Sequence, residues 1–224
     1  MNTLTQIPLG TQVLLGERAR FRRRMESIVT RVFEGWSYDE IIPPIFDYSD
    51  VFERGVGADL GQKVYRFLDR EGHILALRPE FTSLVAKTVA SRMPSSSKPI
   101  RLFYCGEVLR YEPPRGGQQR EFSQIGLEHV AGKALEADVE VLAIAMEVLS
   151  RLGVRDFQIN LGHMEYFAGV VERIGLNDAT LHHLRELIDI KDITALTAEL
   201  KRLKLDARRR DLLLALPHLT GGPE

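Results

Sequence analysis

The sequence predicts an α+β fold, an antiparallel sheet flanked by helices and followed by a small helical unit, and three patterns carry that reading. Strand-like runs come in hairpin pairs, Val64 to Leu68 with His73 to Leu77 and Pro99 to Tyr111 with Gln119 to Val130, where parallel winding would alternate strands with helices. Amphipathic helical stretches precede and follow the longer hairpin. From Met164 to Leu219 the pattern is helical throughout. Two domains follow, a sheet domain over residues 1–163 and a helical segment over 164–224.

Composition bounds the function classes. At 224 residues and 44% hydrophobic, the chain can bury a sizeable core. With 30 basic against 31 acidic residues there is no global pull toward nucleic acid or an anionic membrane, so neither is an expected partner. Cys105 has no second cysteine to pair with and reads as a small buried hydrophobe. No basic segment followed by an apolar run opens the chain, and no run approaches the ~20 apolar residues that span a bilayer. A cytoplasmic protein is expected.

Taken in order, Leu14 to Phe33 reads as a helix with Phe21, Met25, Ile28, Val29, Val32 and Phe33 on one side. Its other side holds Arg18, Arg20, Arg22, Arg23, Arg24 and Arg31, which is either a solvated face or a contact for RNA or an acidic partner. Tyr38 to Ile42 is a short strand closed by Pro43 and Pro44, and a helical turn follows around Tyr48 to Arg54. The loop Gly55 to Gly61 lacks the Gly-Lys-Ser/Thr of a phosphate cradle. After the compact hairpin, with its turn at Asp69 to Gly72, Pro79 suits a first helical turn and Glu80 stands where negative charge is favoured. Glu80 and Thr82 therefore either complement a helix terminus or face a pocket. Ser95 to Lys98 is a loop. Beyond the long hairpin come a helix from Lys133 to Leu152, with Ala137, Val141, Ile144, Ala145, Val148 and Leu152 inward, and a strand from Phe157 to Leu161. Helices then run to Ile174, over Asp178 to Ile188, Ile193 to Leu203 and Ala207 to Leu216. His182 and His183 are adjacent, not one turn apart, so they do not share a metal from one helix face; no metal site is expected.

The long hairpin carries the chemistry. Alternation puts Arg120, Phe122, Gln124, Gly126 and Glu128 on one face, with Glu121, Ser123, Ile125 and Leu127 on the other. A cation, an aromatic, an amide and a carboxylate in a row, with Gly126 leaving an open space and Arg110 alongside, suit a small zwitterion or a nucleotide. A solvated sheet face without a ligand is the other reading.

Arg110-Tyr111-Glu112, the Pro/Gly loop, and Arg120 to Gln124 through Glu128 resemble motif 2 of the class II aminoacyl-tRNA synthetases, in its histidyl form. Leu77-Arg78-Pro79-Glu80-Phe81-Thr82 is similar to that family's Leu-Arg-Pro-Glu-Gly-Thr, at matching spacing from Arg110. The resemblance covers about Ile7 to Gly162. Phe67 to Gly72, and Phe81 in place of the synthetase glycine, resemble more closely the paralogous family of ATP phosphoribosyltransferase regulatory subunits. The resemblance implies a class II synthetase-like fold in which Glu80 and Thr82 hold the α-ammonium of histidine, Gln124 and Arg110 its carboxylate end, and Glu128 its imidazole. Glu112, Arg120 and Phe122 would be residual nucleotide-site positions. Where synthetases have Gly-Arg-X-Arg, this chain has Gly117-Gln118-Gln119-Arg120, and losing a phosphate-binding cation costs ~3 kcal/mol or more in a transition state. The family's Arg-Gly-Leu-Asp-Tyr-Tyr segment, motif 3 and anticodon-binding domain have no counterpart. A chain without catalytic residues or a cofactor is implied. It would take histidine as ligand, and a homodimer would join the catalytic ATP phosphoribosyltransferase subunit in a hetero-oligomer. The alternative is a histidyl-tRNA synthetase, or a fragment of one, that activates histidine with ATP and Mg²⁺.

Overall fold

The chain divides by packing into two units, Met1–Phe157 and Gln158–Glu224, where the pattern reading drew the division after His163. The computed structural model describes residues 3–93, 99–112, 119–162, 169, 176–203, 205–218 and 221. The expected loop at Ser95 to Lys98, the Pro/Gly loop with Gln118, and all but Gly169 of the helix expected over Met164 to Ile174 lie outside them.

In the first unit, α1 (Glu17–Gly35) leads to β1 (Asp39–Glu40), β2 (Phe46–Tyr48), α2 (Ser49–Gly55), α3 (Ala58–Gln62) and the hairpin β3 (Arg66–Leu68) and β4 (Ile74–Leu77). Then come α4 (Thr82–Arg92), the long hairpin β5 (Ile100–Leu109) and β6 (Glu121–Val130), and α5 (Ala134–Arg151). Among the described residues the strands form two three-stranded sheets, β1-β5-β6 and β2-β4-β3, where the sequence suggested one. Nor is pairing uniformly antiparallel, because β1 runs parallel to β5 through Asp39 opposite Leu102 and Glu40 opposite Phe103. That strand stays short because Pro43 and Pro44 offer no N–H to extend the ladder.

The long hairpin is the partition of the unit. β5 and β6 pair from Ile100 opposite Val130 to Leu109 opposite Glu121. On one face Phe103, Ile125 and Leu127 meet Val29, Val32 and Phe33 of α1 and Ile144 of α5. On the other, Leu102, Tyr104, Val108 and Phe122 meet Phe81 and Val85 at the start of α4. Each such fully buried Phe, Leu or Val contributes roughly 1.5–3 kcal/mol. Under the second sheet, Phe52, Val64, Ala76 and Leu84 form a smaller core.

Several local expectations are corrected. α1 starts at Glu17 after Gly16, whose φ of 56° only glycine adopts freely. Phe21 is exposed, and Glu26 is buried in its stead, because the first half of α1 faces the hairpin with charges. α4 starts at Thr82, not at Pro79. The loop Gly55 to Gly61 contains α3. Val141 and Ala145 open onto an apolar groove beside β6. Phe157 to Leu161 pairs with no strand among the described residues and so forms none. Cys105 is half-buried and free.

In the second unit, α6 (Asp178–Asp189), α7 (Ile193–Arg202) and α8 (Ala207–Ala215) match the expected helices closely. Asn177, Asp192 and Asp206 each accept a hydrogen bond from a backbone N–H in the first turn, at 2.8–2.9 Å, a cap typically worth about 1 kcal/mol. Leu184, Leu187, Leu196, Leu200 and Leu213 close a core of their own. His182 and His183 lie on the surface beside Glu186, and no group of metal-ligating side chains occurs among the described residues. No described helix is long and apolar enough to cross a membrane.

Candidate ligand-binding site

The site grows from two glycines of the hairpin. Gly126 stands opposite Tyr104, and a methyl group added to it would lie 2.5 Å from the Tyr104 hydroxyl. The phenol thus crosses the strand where the sequence suggested an open space. Gly106 does the same for α4's leading segment: a methyl there would come within 2.7 Å of the Arg78 guanidinium and 3.1 Å of the Phe81 ring. Arg78 is buried, donates to the carbonyls of Glu107 (2.7 Å) and Pro43 (2.8 Å), and lies 4.2 Å over the Phe81 ring. Phe81 in turn stacks on Tyr104 at 4.3 Å and 6°. A chain of flat contacts therefore fixes the phenol.

Polar groups gather around that hydroxyl. Glu128 Oε1 is 3.5 Å from it and Gln124 Nε2 is 3.4 Å from it on the other side. Thr82, exposed at the start of α4, donates its hydroxyl to Glu128 Oε1 at 2.7 Å, so the cluster opens to solvent. The buried Glu80 carboxylate accepts the Ser83 N–H at 3.0 and 3.1 Å, complementing the helix terminus as one of the two readings held. Burial first, then the charges of Glu128 and Glu80, push the Tyr104 phenol up to about 12. Neither carboxylate has a cationic partner among the described residues. Oε1 of Gln124 is buried without a hydrogen-bond partner among the described residues.

Further along β6, Phe122 lies under the Arg110 guanidinium at 5.1 Å, and Arg110 Nε donates to the Pro79 carbonyl at 2.8 Å. The row on this face thus runs from carboxylates at one end to a cation at the other. Glu80, Thr82, Gln124 and Glu128 come together around Tyr104, with Arg110 beyond Phe122. Arg120 and Glu112 do not join them. Arg120 donates to the Glu112 carbonyl at 3.0 Å, lies over Tyr111 at 4.5 Å and has its stem against Gly10; the Glu112 carboxylate pairs with Lys63 at 2.9 Å. Phe122 has Arg110 on its ring and packs into the core. The residual nucleotide-site positions are therefore engaged with neighbours instead of standing free.

Sequence reasoning missed Tyr104 and Arg78. The signal for Tyr104 was the pairing of an aromatic with a glycine across the hairpin, readable once the register is known. For Arg78 the sequence holds no signal beyond its place before Pro79.

The opposite face is also charged. Arg22 pairs with Glu26 at 2.8 Å and with Glu107, and Arg23 with Glu26 at 2.8 Å. Burial works against the Glu26 charge, but these guanidiniums hold its carboxyl below the usual range. Arg101 grips Glu140 through two 2.7 Å bonds, and Tyr38 donates to the same carboxylate at 2.8 Å. The Arg101 bonds bring Glu140 down to about 2.

The profile of the histidyl-tRNA synthetase family matches residues 10–224. The ATP phosphoribosyltransferase regulatory subunit of Caldanaerobacter subterraneus subsp. tengcongensis is 36% identical over 218 residues, 97% of this chain and 56% of the relative. That of Geobacter metallireducens is 37% identical over 219 residues, 97% of this chain and 50% of the relative. A Bacillus halodurans crystal structure described as an ATP phosphoribosyltransferase regulatory subunit/histidyl-tRNA synthetase superposes with a TM-score of 0.89 at 28% identity, over 100% of this chain and 58% of that one. The chain spans about half the length of the curated relatives it matches.

Proposed function

The chain belongs to the histidyl-tRNA synthetase family, with its class II fold, and we propose that it acts there as a regulatory chain that binds histidine around Tyr104 and assembles with a catalytic ATP phosphoribosyltransferase subunit. The observation that carries the reading is the two-ended row of charge on one hairpin face. Glu80 and Thr82 receive the α-ammonium, Arg110 the carboxylate, and Glu128 an imidazole N–H. A carboxylate costs the least to leave without a fixed cation when a cationic ligand brings one. The regulatory name of the curated relatives supports the same role. No cofactor is needed for it, and the chain works in the cytoplasm as a homodimer within the larger assembly.

A second reading, activation of histidine with ATP, is favoured by the family name and by the double description of the Bacillus halodurans structure. The engagement of Arg120, one of the residual nucleotide-site positions, with the Glu112 carbonyl and the Tyr111 ring weighs against it, because adenylation needs cations free to meet the phosphates. Calorimetric titration of the purified protein with L-histidine tests the proposal. Glu80→Gln and Arg110→Ala should each weaken binding by about ten- to a hundredfold. No binding by the unsubstituted protein, or unchanged affinity in both variants, would overturn it. Histidine-dependent ATP–pyrophosphate exchange would instead establish the second reading.

A further inference from the structure

The first half of α1 carries more cation than the fold uses. Arg22 and Arg23 are paired with Glu26 and Glu107, but the guanidiniums of Arg18, Arg20 and Arg24 have no hydrogen bond or ion pair among the described residues. Arg18 and Arg20 stand at the helix end whose dipole is already positive, with Glu17 the single carboxylate of that turn. Arg20 and Arg24, four residues apart, repel each other. Phe21 lies among them, three residues from Arg18 and three from Arg24, and is 64% exposed. With Leu14 of the preceding segment it lines an open hollow of about 690 Å³, and the neighbouring Leu15 is 75% exposed. An aromatic ring and aliphatic side chains held in water beside uncompensated guanidiniums are unfavourable in the free chain on both counts, and one kind of surface relieves both.

We propose that this face of α1 docks an acidic protein surface that offers an apolar pocket to Phe21; within the assembly reading, on which this step rests, that surface is the catalytic subunit's. Phe21 is the anchor at the centre, and the arginines around it meet carboxylates at the rim. A second copy of this chain does not fit, because a twofold contact would set Arg18, Arg20 and Arg24 against their own copies. Nucleic acid fits less well than protein. The chain has no lysine before Lys63, so the cations here are all arginines, which with aromatics are enriched at protein interfaces where lysine is depleted. Leu14 and Leu15 gain nothing from a phosphate backbone.

The test is sedimentation of the chain with the purified catalytic subunit at about 0.05 M and about 0.5 M salt. Arg20→Glu combined with Arg24→Glu should weaken assembly by about a hundredfold at low salt and by much less at high salt, whereas Phe21→Ala should weaken it by about tenfold at both. Without a partner, the doubly substituted chain should melt no lower than the unsubstituted one, since a repulsion is removed. A lower melting temperature would make the two arginines structural and overturn the inference. Assembly unchanged in the variants would overturn it too, and leave the assembly reading standing. Losses seen with bulk tRNA and not with the catalytic subunit, or a change in self-association of the chain alone, would give the face to nucleic acid or to a second copy. If the unsubstituted chain does not assemble with the catalytic subunit at all, the proposed assembly fails and this docking face fails with it.

Discussion

Both faces of the long hairpin carry polar groups, and they treat them differently. Toward α1 and α5, charges close on one another: Glu26 with Arg22 and Arg23, Glu107 with Arg22, Glu140 with Arg101 and Tyr38. Toward α4, among the described residues, Glu80 and Glu128 have only neutral donors, and Gln124 Oε1 has none. The first face is electrostatically finished by the fold. The second is left for something else to finish, and that difference, more than polarity itself, separates a structural surface from a candidate site. One exception stands on the finished face: His129 is 3.7 Å from Glu140 through Nε2, yet its Nδ1 is buried without a partner among the described residues.

The comparison breaks most visibly at Glu140. Glu140→Ala leaves Arg101 and Tyr38 without their shared acceptor and should destabilise the protein by about 2–3 kcal/mol in urea unfolding, less than a fully buried pair because Arg101 is one-third exposed. Histidine affinity should not change. The pH signature follows from the lowered carboxyl, which moves from a usual 4.5 to about 2 in the fold. Its contribution is whole above pH 4.5 and is lost as pH falls through 2, so Glu140→Gln should flatten the acid limb of the stability profile in that window. An unaltered acid limb would show the pair to be a bystander.

Gly126→Ala probes the other face with a smaller effect. Its methyl would displace the phenol of Tyr104, an overpacking cost of about 1–2 kcal/mol, and should abolish the Gln124–Tyr104–Glu128 arrangement. Melting temperature and histidine titration should therefore fall together here, whereas Glu140→Ala moves the first alone. Equal stability with intact binding would mean that the phenol has another place to lie.

Much of the architecture was legible because its signals are local. Strand alternation put Gln124 and Glu128 on one face, and Asn177 and Asp206, which cap two helices of the second unit, marked where those helices begin. What stayed hidden depends on partners distant in sequence. The six arginines of α1 looked like one solvated face, because nothing near Arg22 reveals that Glu107 lies across from it. Phe21 looked like core for the same reason. Phe157 to Leu161 has strand composition, but a strand also needs a neighbour to pair with. At the site, Glu80 and Thr82 were readable as a helix start, and only tertiary packing brings them to Tyr104 and Glu128.

Glu128→Gln should have the smallest effect on stability and thereby sharpens the comparison most. The substitution keeps an oxygen for the Thr82 hydroxyl at the position that now accepts it at 2.7 Å, and removes a charge with no cation beside it among the described residues. On a finished face such a change strands a counter-ion and costs several kcal/mol; here no counter-ion is stranded, so unfolding free energy should stay within about 0.5 kcal/mol. Ligand binding should respond differently, because the imidazole N–H loses its charged acceptor: histidine should weaken by about tenfold while an amino acid lacking a ring N–H is unaffected. Urea unfolding and competitive titration on one preparation decide it. A stability loss above 2 kcal/mol would make Glu128 a structural carboxylate like Glu140, and the two faces would no longer differ in kind.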